Sequence, residues 1–547
     1  LVIIFFSRRL WPANQVAEKK MTIDKSNKPK PIYVHRLPSC NNACPSGQNI
    51  QKWLAFVKES KYLEAWETIM QDNPIPATIG RVCYHPCESS CNRRGFDSSI
   101  NINAVERFLG DMALTEGWKV KQHAQKSGKK IMIIGAGPAG LSAAYHLCLL
   151  GHDVTIFEEA KFGGGTMHTG IPAYRLPRDI LDAEVKRIED MGVKIVYNHK
   201  VEDIEKEKTA GNFDAVFVAV GAQLGKGTNI PKIGNACAII DSLDFLRDIE
   251  HNRAPKIAGQ NILVYGGGNT AIDAARLAIR LGAESVEIVY RRNREKMPAF
   301  DFEIAEAEEE GVTFRLLRTI KEVNDRDVTL DIMELNTEGW PVGTGETEII
   351  QADTIILALG LNVDTKFVHQ ISGIQFKSDD TIIVDEHMMT GAPGVFAGGD
   401  VIPYDRSVTT AIGHGKKAAR NIDAFLKGEV YTKPEKHELG SADKLYTYFY
   451  KKADRKERSQ LHFPERIETF DEVVHGLEEG DVKHEADRCF SCGNCFECDT
   501  CFTVCPVKAI TKLGPHKGYH IDDEVCIRCG LCVRKCPCGS MKMVEDK

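Results

Sequence analysis

The chain has 547 residues, a formal charge of −7 and 18 cysteines. That length exceeds one ordinary core and predicts about three or four domains, and the acidic balance gives no basic footprint for nucleic acid. Five cysteines lie between Cys40 and Cys91 and eleven between Cys489 and Cys538; clustering with C-x2-C spacing, in a chain without a secretory signal, reads as metal in a reducing compartment and so as cytoplasmic.

Residues 1–29 read as a disordered or non-native leader. The apolar run of LVIIFFSRRLWP is too short for a signal peptide and its basic residues lie on the wrong side, so Met21 is the expected start. No later run approaches a membrane span. Residues 30–124 read as a helical iron-sulfur domain, with WLAFVKESKYLEAWETIM as one amphipathic segment and Cys40, Cys44, Cys83, Cys87 and Cys91 around it. Four-residue offsets put helical thiolates on common faces, which suits a cubane cluster better than a disulfide; tetrahedral zinc uses such spacings as well. Glu106 reads as a solvated helix carboxylate.

Residues 125–235 read as the first part of a flavin domain. KKIMIIGAGPAGLSAAYHLCLLGHDVTIFEE supplies a strand, a G-x-G-x-x-G turn, a helix and a second strand. Gly135 permits the turn, Gly137 admits a pyrophosphate to the helix N-terminus and Gly140 lets helix and strand pack, with Ala136, Pro138 and Ala139 completing the cradle and Glu158 placed for a ribose. The following KFGGGTMHTGIPAYRLP is a loop where something approaches the backbone.

Residues 236–354 repeat the pattern. Strand, Gly266, Gly268, Asn269, Thr270, helix and strand follow in order, and a second nucleotide fold implies a second nucleotide. This unit ends in Arg291 and Arg292 where the first ended in Glu158, and two guanidinium groups suit a 2′-phosphate, favouring NADP(H) over NAD(H). Residues 355–430 return to the flavin domain, with Gly399 and Asp400 beside the ribityl and pyrophosphate and a helix starting near Thr409 aimed at the flavin ring.

Residues 431–484 are polar and read as a linker that wraps rather than folds alone. In residues 485–547, Cys495, Cys498, Cys501, Cys505 and then Cys526, Cys529, Cys532, Cys536 give two copies of C-x2-C-x2-C-x3-C-P. This is the signature of a two-cluster ferredoxin, in which the fourth cysteine of each run ligates the other cluster. The tail is expected to be separable.

Residues 38 to 425 carry ACP at 43–45, GRVC at 80–83, GAGPAGL at 135–141, GIPAYRLP at 170–177, GGGNTAIDAAR at 266–276, YRRNREKMPAF at 290–300 and PGVFAGGD at 393–400. With these the chain resembles the small (beta) subunit of NADPH-dependent glutamate synthase and the N-terminal half of dihydropyrimidine dehydrogenase. The resemblance implies an α/β fold with a helical iron-sulfur domain, a FAD domain and an NADPH domain inserted in it. It also implies FAD contacts at Gly135, Gly137, Gly140, Glu158, Gly165, Arg175 and Asp400, and NADPH contacts at Gly268, Asn269, Thr270, Arg291 and Arg292. By the same analogy Cys44, Cys83 and Cys87 hold one [4Fe-4S] cluster, with Glu106 as its fourth ligand. The family's RC-x2-C pair is absent before Cys40, and similar wording recurs at Cys489 and Cys492. These two are expected to fold back, from this chain or a dimer mate, onto Cys40 and Cys91, giving one or two N-terminal clusters besides the two in the tail.

The implied function is transfer of electrons between NADPH and iron-sulfur clusters through FAD, in either direction, for a larger catalytic subunit or free ferredoxin. Orientation and exclusion of water suffice for the hydride step, so no catalytic acid, base or nucleophile is expected. A disulfide reductase would need a cysteine pair near the flavin, whereas Cys148 and Cys237 are single. A scaffold subunit, whose flavin NADPH does not reduce, is the alternative.

Overall fold

The computed structural model describes residues 28–121, 124–251, 253, 255–514 and 517–545; residues 1–27, and with them the expected start at Met21, lie outside the described residues. Short β-branched runs bounded by glycine turns form two five-stranded parallel sheets. In the first, Val395–Ala397, Ala215–Val218, Lys130–Ile134, Asp153–Phe157 and Lys194–Val196 lie side by side in that order. Ile131, Ile133, Val216 and Phe217 are fully buried, as a sheet covered on both faces requires. The helices Pro138–Leu149 and Val408–Lys427 pack against one another over it.

The second sheet has the order Thr313–Leu316, Ser285–Tyr290, Asn261–Tyr265, Thr354–Leu357 and Ala238–Asp241. Thr354–Leu357 is thus a strand of the inserted domain, so the return to the first domain falls later than residue 355. Lys232–Ile233, pairing with Arg318–Asn324, enters that domain before residue 236. The antiparallel pair Leu224–Gly225 and Leu361–Asn362 makes the crossing between the two domains.

The expected long N-terminal helix is two, Ile50–Lys58 and Tyr62–Ile69, because Ser60 takes a positive φ of 58° between them. Trp53, Leu54, Val57, Ile69 and Leu109 form a core that also takes in Leu477, Val482 and Ala486. Each such apolar side chain contributes about 1.5–3 kcal/mol on burial, so this core is incomplete without the segment before the tail. The helix Glu479–Arg488 runs past the expected linker boundary at 484.

Residues 458–477 form a strap across three units. Glu472 meets Arg81 and Arg107 of the helical domain, the Val473 N–H donates to the Tyr174 carbonyl at 3.0 Å, and Val473 enters the core of the inserted domain. Arg466 reaches Glu309 and Glu310 there.

Beside the expectation of a separable tail stands an added strand: Lys30–Tyr33 pairs antiparallel with Met541–Val544, and Leu37–Pro38 pairs parallel with Leu439–Gly440. Residues 30–36 therefore belong structurally with the tail, to which the Val34 and Arg36 N–H groups also donate at the Ser540 and Gly493 carbonyls, while Leu37–Pro38 joins the segment at 431–484. Among the described residues no helix is long and apolar enough to cross a membrane.

Candidate functional site

A cavity of about 730 Å³ opens at the ends of the parallel strands, where ligands of such sheets bind. Gly135, Gly137, Pro138, Ala139, Glu158, Gly165, Asn269, Thr270, Gly399 and Asp400 line it. The strand Lys130–Ile134 ends at Gly135, whose φ of +100° and approach to the Ala219 carbonyl leave no room for a Cβ. A Cβ on Gly140 would lie 2.0 Å from the Gly135 oxygen, whereas one on Gly137 would meet nothing within 4 Å. The turn therefore packs tightly behind and stays open in front, which fits a pyrophosphate at the helix N-terminus.

Glu158 is buried and its two oxygens accept the N–H groups of Ala136, at 2.7 Å, and Ala160, at 2.8 Å. Burial still pushes its carboxyl above the usual range, and burial does the same to Asp400. Ser407, Val408 and Ala411 bring the N-terminal turn of Val408–Lys427 to the cavity wall, and the Ser407 hydroxyl caps it by accepting from the Thr410 N–H at 3.1 Å.

Several expected contacts stand elsewhere. Ala136, Gly140, Arg175, Gly266, Gly268, Arg291, Arg292 and Thr409 do not line the cavity. Arg175 is engaged with Asp273 at 2.7 Å and with Glu303, both on the inserted domain, so it ties two domains rather than reaching toward the flavin cradle. Thr409 is buried and favours the Cys83 thiolate, against the larger effect of burial. Gly268 caps the helix Asn269–Arg280. Arg291 is exposed, and Arg292 lies 5.1 Å over the Trp340 ring with its Nε buried and unpartnered. An orphaned guanidinium nitrogen beside an exposed one fits a phosphate.

Sequence reasoning missed Tyr84, which no periodicity marks. Val82 and Tyr84 line the cavity on either side of Cys83. The Tyr84 ring stacks on Phe300 with centroids 3.9 Å apart.

The N-terminal cysteines fall into two groups. Burial raises the Cys87 thiol, followed by Glu88, Cys44, Cys83 and, last, Cys40 of the other group; burial pushes Cys83 up to about 12, with Glu106 and Cys44 adding to it. Glu106 is buried rather than solvated, accepts from Gln48 Nε2 at 2.6 Å and Asn73 Nδ2 at 2.8 Å, and is pushed by burial up to about 7. In the second group, burial and then Cys489, Cys91 and Cys492 raise Cys40. Burial carries Cys489 to about 11 and Cys492 to about 12. Asn92 Nδ2 donates to the Cys492 sulfur at 3.3 Å. The returning pair comes from the same chain.

The tail brings its runs together crosswise. Burial pushes Cys501 up to about 11, and its cysteine neighbours are Cys495, Cys498 and Cys536. Cys505, Cys526, Cys529 and Cys532 surround a separate small cavity. Among the described residues no three His, Cys, Asp or Glu side chains converge tightly enough to hold a single ion. Buried thiols resist ionisation, and a polynuclear cationic core is what reverses that cost, so the donor sets fit clusters.

Residues 129–415 match the family described as pyridine nucleotide-disulphide oxidoreductase. Residues 30–118 match dihydropyrimidine dehydrogenase domain II, 4Fe-4S cluster, and residues 494–540 match a 4Fe-4S dicluster domain. The chain is 34% identical over 497 residues to the NADP(+)-dependent formate dehydrogenase subunit beta of Moorella thermoacetica, covering 83% of this chain and 70% of that one. It is 32% identical over 518 residues to the NADPH-Fe(3+) oxidoreductase subunit beta of Geobacter sulfurreducens, covering 85% and 77%. To the glutamate synthase [NADPH] small chain of Azospirillum brasilense it is 32% identical over 421 residues, covering 72% and 87%.

Proposed function

The chain belongs to the pyridine nucleotide-disulphide oxidoreductase family, in the group that includes the glutamate synthase small chain, and from that premise we propose that it passes electrons between NADPH and iron-sulfur clusters for a larger oxidoreductase subunit or a free ferredoxin. One observation carries this reading: a single cavity is walled by the first nucleotide turn, by Asn269 and Thr270 of the second, and by Val82 and Tyr84 on either side of Cys83. Bound FAD supplies the exchange between a hydride pair and single electrons.

The chain's own residues orient and insulate. Gly135, Gly137, Pro138, Ala139 and Glu158 would hold the dinucleotide, the N-terminal turn of Val408–Lys427 presents its positive end to negative charge in the cavity, and Arg291 and Arg292 would take the 2′-phosphate. Cys44, Cys83 and Cys87 with Glu106 hold the cluster next to the cavity. Cys40, Cys91, Cys489 and Cys492 hold a second, and the crosswise tail groups hold two more. Two of the relatives are named as beta subunits, which supports a partner subunit for this chain. Anaerobic titration with NADPH tests the reading. Bleaching of bound flavin followed by loss of cluster absorbance is expected; flavin that NADPH leaves oxidised would overturn it in favour of a scaffold.

A further inference from the structure

We propose that the strand Lys30–Tyr33 is a redox-positioning element of the tail, placing the Tyr33 hydroxyl as a hydrogen-bond donor on the Cys501 sulfur and so setting the potential of the cluster held there. The inference rests on the reading of the tail as a two-cluster module. Tyr33 Oη lies 3.1 Å from Cys501 Sγ. A ligating thiolate can only accept, so the phenol is the donor.

The placement is fixed from several sides. Tyr33 sits opposite Met541 in the antiparallel pair. Its ring stacks on Tyr519, with centroids 6.3 Å apart and planes inclined by 15°, in a core that includes Cys501, Cys532 and Cys536. Pro31, two residues earlier and therefore on the same face of the strand, lines the cavity among Cys505, Cys526, Cys529 and Cys532. One face of a four-residue strand thus addresses both cysteine groups. The same arm continues to Arg36, whose N–H donates to the Gly493 carbonyl at 3.0 Å, just past Cys492, and whose Nε donates to the Gly539 carbonyl at 2.9 Å. The segment that leads into Cys40 is therefore also what seats the tail.

A hydrogen bond donated to a cluster sulfur favours the more negative, reduced state and raises the potential. The test is full-length Tyr33→Phe, which keeps the ring, beside Tyr519→Phe, which removes a hydroxyl that donates to Asp499 Oδ1 at 2.7 Å instead of to sulfur. Iron and sulfide are assayed first, then midpoint potentials by redox titration followed by electron paramagnetic resonance. Tyr33→Phe is expected to keep the wild-type iron content and to shift one tail cluster to more negative potential, with Tyr519→Phe leaving both tail potentials in place. Unmoved potentials in Tyr33→Phe at full iron content, or an equal shift in Tyr519→Phe, overturn the inference. Should Tyr33→Phe lose tail iron, fluorotyrosine at position 33 keeps the shape and strengthens the donor; a positive shift is expected, and no shift overturns. Wild-type protein without tail iron would refute the underlying reading of the tail instead.

Discussion

Asn269 Nδ2 donates to the Tyr84 hydroxyl at 2.7 Å, joining the first turn of the second nucleotide helix to the residue after Cys83. A ligand settling on Asn269 has to compete with that bond, which is worth about 1 kcal/mol net. Tyr84→Phe removes it and keeps the stack on Phe300. NADPH is therefore expected to bind roughly fivefold more tightly to Tyr84→Phe, read by equilibrium titration of the flavin-containing protein with the unreactive oxidised nucleotide and with NADPH in rapid mixing. Unchanged affinity would show that the bond survives binding.

The preference for NADPH over NADH is expected to reside in Arg291 and Arg292. Charge-assisted phosphate contacts contribute about 1.5–3 kcal/mol, so the double variant Arg291→Ala, Arg292→Ala should lose roughly ten- to a hundredfold in NADPH efficiency while NADH is untouched. Flavin reduction rates with each nucleotide decide it. Equal losses with both would point to damage of the fold.

Cys489→Ala with Cys492→Ala is expected to remove about four irons, those of the cluster shared with Cys40 and Cys91, since two thiolates do not retain a cubane. Iron and acid-labile sulfide analysis measures this. Full iron content in the double variant would free those cysteines from any ligand role.

Acid should weaken the inserted domain through Glu310. Against burial, which opposes ionisation, the hydrogen bonds and charges of Arg276 and Arg280 hold this carboxyl down at about 2, from an ordinary value of 4.5. A lowered carboxyl contributes its stability above its unfolded value and loses it as pH falls through the folded one, here between about 4.5 and 2; the full effect is on the order of 3 kcal/mol. Thermal unfolding of apoprotein should show Glu310→Gln less stable than wild type at neutral pH, with the gap closing below pH 4.5. A constant gap would place the effect in packing.

The two nucleotide turns were legible because each is local: strand, glycines and helix lie within about thirty residues, and every feature carries its own periodicity. The crosswise tail groups were legible for the same reason, their spacing being the chemistry. Arg175 was not, because its partners Asp273 and Glu303 lie on a domain that folds between the halves of its own, and nothing in the loop's wording says which side the guanidinium turns to. Glu106 reads as one polar residue in an amphipathic helix, and only Gln48 and Asn73, converging from two other segments, make it a buried group. Tyr33 has no local signature at all; its strand is four residues long and its partner sulfur is 468 positions away.

The pairing of Lys30 with Val544 has a consequence for synthesis. The first strand of the described chain to leave the ribosome waits for a partner made 514 residues later, about half a minute to nearly two minutes at ordinary elongation rates. Until then Lys30–Tyr33 lacks its strand partner, and contacts of such long span form slowly. Because Cys536 precedes Val544, all the cysteines of both tail runs are in the chain before the strand beside Cys501 can pair.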